Sequence, residues 1–174
     1  MLKRAIKIKK QSPGGTGFQP VQSFKVTRRN LPHWQDPGRV YFVTWRCQKG
    51  QNLSHAERII TLDAIRYWNG RKWTIYAAVI LPDHVHLLAQ TLPSPAGGAY
   101  DLAEILHSVK SFSAQKISHH RGVQGAIWQD ERYDRIVRDE AEFLEKWNYI
   151  RNNPLKEGLA PTPKDYPGLY EKGG

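Results

Sequence analysis

At 174 residues, the chain is long enough to bury one core and short enough for a single domain. Aromatics make up 11%, including six tryptophans, which excludes a disordered chain, and no apolar run approaches the ~20 residues needed to cross a bilayer. The one cysteine, Cys47, cannot form an intramolecular disulfide, no secretory apolar segment follows the basic start, and the expected compartment is the cytoplasm.

The net charge of +10 is unevenly placed. Met1 to Asn30 holds eight Lys and Arg and no acidic residue, which leaves +2 for everything after it. Arms of this kind track phosphates or anionic surfaces, so nucleic acid is the expected partner. Residues 1–26 contain the breaker cluster Ser12-Pro13-Gly14-Gly15-Thr16-Gly17 and read as a flexible lead-in.

Beyond the loop at Leu31-Pro32-His33-Trp34, Arg39 to Cys47 is dense in β-formers and reads as the first core strand. Ser54 with Glu57 three residues on is a capping-box pattern. It predicts a helix from about His55 to Trp68, with Ile59, Leu62, Ile65 and Tyr67/Trp68 as its apolar stripe. Trp73 to Val79 and the stretch around His84 and His86 read as two strands bent apart at Leu81-Pro82-Asp83. Asp101 to about Ser118 reads as a second helix with Leu102, Ile105, Leu106, Val109, Phe112 and Ile117 inside, closed by a surface tail at His119-His120-Arg121-Gly122. Ala126 to Arg138 reads as a last strand interrupted by Gln129-Asp130-Glu131-Arg132. Glu140 to about Asn152 is a third helix, with Phe143, Leu144, Trp147 and Ile150 at helical spacing, ended by Pro154 because a residue before proline is pushed out of the α region. The stretch 161–174 is expected to wrap the surface as a C-terminal extension.

This order is the α+β, ferredoxin-like βαββαβ plan with a helix added at the C-terminus, and one antiparallel sheet with helices on one face is the expected packing. On a strand, His84 and His86 share a face while Val85 points into the core. A same-face imidazole pair is half of a metal site, although the short pattern also fits two solvated rings at a strand end. In the last helix Tyr149 and Asn153 are four apart and project from one face. A tyrosine hydroxyl can act as a covalent nucleophile, and an Asn amide oxygen can complete a divalent-ion site beside two imidazoles; taken singly, Tyr149 also fits an amphipathic surface position.

The segments Leu31-Pro32-His33-Trp34, Tyr41-Phe42-Val43-Thr44, Leu81-Pro82-Asp83-His84-Val85-His86-Leu87-Leu88, Trp128-Gln129-Asp130-Glu131 and Tyr149-Ile150-x-x-Asn153-Pro154-x-Lys156-x-Gly158-Leu159 resemble the single-tyrosine HUH transposases. More closely, they resemble the branch called REP-associated tyrosine transposases, from about Thr27 to about Tyr170 and in that family's motif order. The resemblance implies a nuclease domain over 27–160 that binds single-stranded DNA folded into a hairpin. It also implies His84, His86 and Asn153 as ligands of a divalent ion, Mg2+ or Mn2+, and Tyr149 on the added helix as the catalytic residue that forms a 5′-phosphotyrosine. A monomer is expected, with a homodimer as the alternative, and no membrane.

Candidate phosphate contacts are Arg28, Arg29, Lys110, Lys116, Arg132, Arg135 and Arg151, and candidate base-stacking residues are Trp128 and Tyr133. Two other functions fit the same residues: a DNA-binding protein that folds hairpins without cutting, and a nuclease that hydrolyses through a metal-bound water with Tyr149 structural.

Overall fold

Three largely apolar strands form the centre of the molecule, β1 (Val40–Cys47), β2 (Trp73–Ile80) and β3 (His84–Thr91), and the mostly polar β4 (Trp128–Ile136) forms an edge. The computed structural model describes residues 38–173; the basic arm, Arg28, Arg29 and the Leu31-Pro32-His33-Trp34 loop lie outside the described residues. Every strand pair is antiparallel, in the order β4-β1-β3-β2, with a fifth strand, β5 (Leu169–Glu171), on the far edge. The ferredoxin-like plan is therefore present, with one strand more than expected. The stretch after residue 160 does not simply wrap the surface. Val79, Ala78 and Ala77 pair with Leu169, Tyr170 and Glu171, and Tyr166 donates its hydroxyl to the Ile80 carbonyl at 2.7 Å.

Strand alternation divides the core into two layers. Val43, Trp45, Val85 and Leu87 point toward α1 (His55–Tyr67) and α2 (Leu102–Arg121), where they meet Leu62, Ile65, Ile105 and Val109. Val40, Phe42 and Leu88 point the other way and meet Phe143, Trp147 and Ile150 of α3 (Glu140–Lys156). The helices are thus not all on one face: the two of the βαββαβ unit share a face, and the added one covers the opposite face. In β2 a bulge between Ile75 and Ala77 inserts Tyr76, so that Tyr76, Ala77 and Val79 all serve the α3 layer.

Ser54 caps α1 as its sequence predicts: its hydroxyl accepts from the Glu57 amide at 3.3 Å, and the Glu57 carboxylate accepts from the Ser54 amide at 2.8 Å. The same carboxylate receives Arg121 from the last turn of α2, at 2.7 and 3.0 Å. Arg121 also donates to the Gln51 side chain and the Asn52 carbonyl. The expected surface tail is instead a clasp between two helices, finished by Gly122 at φ 67° in the left-handed region.

Two further expectations change, at Phe112 and at Pro154. Phe112 is 49% exposed, because Ser113 takes the inward position and accepts the Trp128 indole N–H at 3.0 Å; a phenylalanine there would collide with that indole. The backbone of β4 stays extended through Gln129–Arg132, but its pairing is interrupted there as expected: the register jumps from Trp45↔Arg132 to Cys47↔Trp128. Pro154 does not end α3, which continues to Lys156. Burial of Asn153 and Pro154 holds the last turn against the local bias of a pre-proline residue. No described helix is long and apolar enough to cross a membrane.

The Glu57 carboxylate is 4% exposed, so removing Arg121 leaves a buried charge unpaired. Arg121→Ala is expected to lower the unfolding free energy by about 3 kcal/mol, read from urea denaturation at neutral pH. The Arg121 hydrogen bonds hold the Glu57 pKa below its usual 4.5. The unfolded chain therefore takes up the proton first on acidification. The stabilisation is full above about 4.5 and is lost as pH falls through the lower folded value. Wild type and Glu57→Gln should converge in stability in that acid range; a gap that persists there would contradict the assignment.

Candidate active site

The β1–β3 register places Thr44 opposite His86 and Arg46 opposite His84, so these four side chains share the α3 face. The two imidazoles are neighbours, with ring centroids 4.7 Å apart, and Val85 between them is fully buried in the other layer. His84 Nδ1 lies 2.6 Å from Asp83 Oδ1. A carboxylate only accepts, so Nδ1 carries the proton and Nε2 of the neutral ring keeps its lone pair. His86 Nδ1 lies 2.8 Å from the Thr44 hydroxyl, which again leaves Nε2 as the outward nitrogen. Partners on the second ring nitrogen fix the orientation of metal-ligating histidines in this way.

Phe42 forms the floor. Its ring stacks on His86 at 5.6 Å between centroids and meets Tyr149 edge-on at 6.0 Å. Tyr149 comes from the middle of α3, 38% exposed, and its hydroxyl lies 3.4 Å from His86 Nε2. The paired histidines and the phenol, 63 residues apart in sequence, therefore do meet. Asn153 follows Tyr149 by one turn and is 4% exposed, on the buried side of the helix.

The surroundings of the second ring keep the His86 imidazole neutral. Burial first, then the positive potentials of His84 and Arg46, pushes His86 down to about 3. Burial raises the Asp83 pKa, but the His84 hydrogen bond and the charges of His84 and Arg46 outweigh it, so the group is held below the usual carboxylate value. Arg46 completes that chain by pairing with Asp83 at 3.2 Å. Two ammonium groups border the aromatic floor: Lys156 lies 5.2 Å from the Tyr149 ring centroid and Lys146 lies 5.5 Å from that of Phe42. The roles of Phe42, Thr44, Asp83 and Lys156 were not expected from sequence. The signal was present for three of them: Phe42 and Thr44 alternate on one strand face, and Lys156 is two turns from Tyr149.

The expected DNA contacts are scattered. Lys110 and Lys116 stand on α2, across the sheet from Tyr149. The Lys110 ammonium donates to the carbonyls of Gln129 and Asp130 at 2.6 and 3.2 Å, which ties α2 to β4, while Lys116 is exposed beside the Phe112 ring. Arg132 pairs with Asp134, Arg135 with Glu142 of α3, and Arg151 with Glu171 of β5. Trp128 is buried with its indole N–H bonded to Ser113, so it offers no stacking surface. Tyr133, 57% exposed on β4, does. Burial pushes the Cys47 thiol up to about 12, which leaves it an inert core side chain.

The His86 ring is expected to stay neutral well below the ordinary 6.5 and to take a proton only near 3, observable in imidazole nitrogen shifts. The unfolded chain binds that proton first. Stability should therefore fall as pH drops from 6.5 toward 3, and a His86 titration near 6.5 would contradict the buried geometry.

No family model matches the chain. Two proteins named REP-associated tyrosine transposases are similar to it in sequence. One, from Haemophilus influenzae, is 27% identical over 99 residues, covering 52% of this chain and 54% of that protein. The other, from Escherichia coli K12, is 26% identical over 127 residues, covering 73% of this chain and 72% of that protein. The match thus spans about half the length of the first relative. Among solved structures, a REP-associated tyrosine transposase bound to a REP hairpin superposes with a TM-score of 0.60 at 25% identity, over 76% of each chain. The resemblance read from the motifs is borne out: in sequence and in fold, the chain is similar to REP-associated tyrosine transposases.

Proposed function

We propose that this chain is a metal-dependent DNA strand transferase. It binds single-stranded DNA folded into a hairpin, and it cleaves and rejoins the strand through a covalent bond to Tyr149. The observation that carries this reading is the approach of the Tyr149 hydroxyl to within 3.4 Å of His86 Nε2, beside a second imidazole whose Nε2 keeps its lone pair. Similarity to a transposase bound to a REP hairpin supports the hairpin as substrate.

The donor set fits a catalytic ion. His84 and His86 through Nε2, with the Asn153 amide oxygen, would hold Mg2+ or Mn2+. Among the described residues no group of three or more His, Cys, Asp or Glu side chains could hold an ion, so the site is no closed structural cage, and three neutral ligands leave positions for phosphate oxygens and water. When bound, the ion supplies charge stabilisation to a phosphate that is being attacked.

The rest follows from the chain's own groups. The Tyr149 oxygen attacks phosphorus, an Oη–P bond forms, and the P–O3′ bond breaks. The phenol proton passes to solvent, and the departing oxygen takes a proton from water to become a 3′-hydroxyl. Lys156, 5.2 Å from the Tyr149 ring centroid, places a positive charge beside the phosphate that is attacked. Rejoining runs in reverse: a 3′-hydroxyl attacks the phosphotyrosine, and the phenol takes back its proton. The phosphodiester bond is exchanged rather than hydrolysed, so no nucleotide triphosphate is needed. The expected phosphate contacts Lys110, Arg132, Arg135 and Arg151 have partners within the fold, and it is Lys156 and Arg46, the latter also paired with Asp83, that lie beside the site and are better placed to meet the scissile region.

With a labelled hairpin oligonucleotide and Mn2+, wild type should form an SDS-resistant adduct that Tyr149→Phe does not form. EDTA and His84→Ala should each abolish it while leaving hairpin binding in place. An adduct that persists in Tyr149→Phe removes the tyrosine from the mechanism. Hairpin binding with no adduct under any condition returns the non-cutting alternative, and cleavage with no protein-linked strand returns the hydrolytic one.

A further inference from the structure

α3 packs mainly over β2 and β3 and covers Val40 and Phe42 of β1, so on its sheet face the Thr44–Arg46 end of β1 and the adjoining β4 stay open. This open part is a polar shelf beside the Tyr149 site. The register Tyr133–Thr44–His86 crosses three adjacent strands, which places the Tyr133 ring on the same face as the histidines and two strand spacings away, about 10 Å. Tyr133 is 57% exposed on an edge strand otherwise polar from Gln129 to Arg135. Beside Tyr133 opens a cleft of about 200 Å3 bordered by Thr44, Arg46, Gln129, Glu131 and Arg132. The cleft joins the site through two contacts: Thr44 holds His86, and Arg46 holds Asp83, which holds His84.

The chemistry of the cleft suits a base rather than a phosphate. Glu131 has no ion-pair partner among the described residues, while its neighbour Arg132 pairs with Asp134; a free carboxylate repels phosphate oxygens. The Gln129 amide nitrogen is committed to the Cys47 carbonyl at 2.8 Å, which turns the side chain's remaining function into an acceptor. The cleft therefore offers an exposed aromatic face, the acceptors of Gln129 and Glu131, and two guanidiniums, Arg46 on its inner rim and Arg132 already paired with Asp134. A carboxylate is matched by two adjacent N–H donors. Of the four DNA bases, only guanine carries two such donors side by side on its Watson–Crick edge, N1–H and N2–H.

The geometry points to a one-nucleotide subsite on this shelf, in which an unpaired guanine beside the scissile phosphate stacks on Tyr133 and is read by Glu131, its phosphate meeting Arg46. This rests on the strand-transferase reading for the position of the scissile phosphate, and aromatic stacking supplies the part of the binding that does not depend on base identity.

The test separates the subsite from the cleavage chemistry by measuring binding in the Tyr149→Phe background. A hairpin with a single-stranded flank carries 2-aminopurine at each flank position in turn. Its fluorescence should be quenched at one position, and that quenching should vanish in Tyr133→Ala and survive in Tyr133→Trp. At that position guanine should bind about tenfold more tightly than inosine, which lacks the 2-amino group, and Glu131→Gln should remove the preference. If no flank position shows Tyr133-dependent quenching, the subsite is wrong even where wild type forms the adduct. If quenching appears but guanine and inosine bind alike, the Glu131 reading is wrong. A chain that never forms an adduct but shows both effects keeps the subsite and loses the strand-transferase reading.

Discussion

The site depends on one pairing, the register between β1 and β3 that sets Thr44 against His86 and Arg46 against His84. Side chains alternate along a strand, so a slip of one residue would turn both imidazoles into the layer under α1 and α2 and bring Val85 to the α3 face. The register is held by what each face must bury. Val85 and Leu87 have apolar partners only on the α1/α2 side, and Leu88 has them only on the α3 side. The turn reinforces it: the Leu81 amide donates to the His84 carbonyl, and the Cys47 amide to that of Asp83. The apolar core thus aims the polar pair. The bulge at Tyr76 belongs to the same constraint, since it lets β2 present large side chains to the α3 layer beyond the point where strict alternation would have reversed them.

Burying the His86 imidazole against an aromatic floor is costly unless it stays uncharged and bonded, and both conditions hold. Phe42 and the surrounding core deny His86 a proton, and its Nδ1, like that of His84, has an oxygen partner. The Asp83 carboxylate neutralises Arg46 on one side and orients His84 on the other, so one side chain both sets a tautomer and holds a cation at the rim. Of the outward nitrogens, that of His86 has the Tyr149 hydroxyl 3.4 Å away as its protein partner. The contact that holds this ring at Nδ1 thus also turns its ligand atom toward the tyrosine.

Much of this was legible in the sequence wherever a local pattern decides the structure. The capping box at Ser54, the alternation around His84 and His86, and the apolar spacing of Phe143, Trp147 and Ile150 each specify their own element. The βαββαβ order followed from them, and the meeting of Tyr149 with His86 followed from the family motifs. What could not be read depended on packing between distant elements. Nothing local states that α3 covers the face opposite α1 and α2, because its apolar stripe would suit either layer. Phe112 fits the α2 stripe by spacing and loses its place only because Ser113 must receive the indole of Trp128, fifteen residues on. Arg121 resembles any basic helix end until Glu57 is beside it. Pro154 marks a helix end by its own chemistry, and burial of the final turn overrides that. The charged residues gave the weakest guide: Lys110, Arg132 and Arg151 are sound phosphate contacts by type, yet each has a carbonyl or carboxylate partner within the fold, and only coordinates separate such groups from cations that face solvent.

A three-helix coat over a five-stranded sheet could have closed both faces, and here it does not. α1 and α2 together cover one face, whereas α3 alone lies over β2 and β3, where Arg151 ties it to β5 through Glu171. The fifth strand thus does more than extend the sheet: it draws α3 toward the β2 edge and away from β4. Arg135 and Glu142 set the limit of that displacement at the other side, since their 2.8 Å contact bridges β4 to the first turns of α3. Between these two tethers α3 presents Tyr149 at the boundary of covered and open sheet, with core beneath the ring and a polar surface in front of the hydroxyl. A nucleophile buried fully under the helix could not be reached by a strand of DNA, and one placed on the outer helix surface could not reach the imidazoles. The asymmetric seat of α3 is what satisfies both requirements with a single side chain.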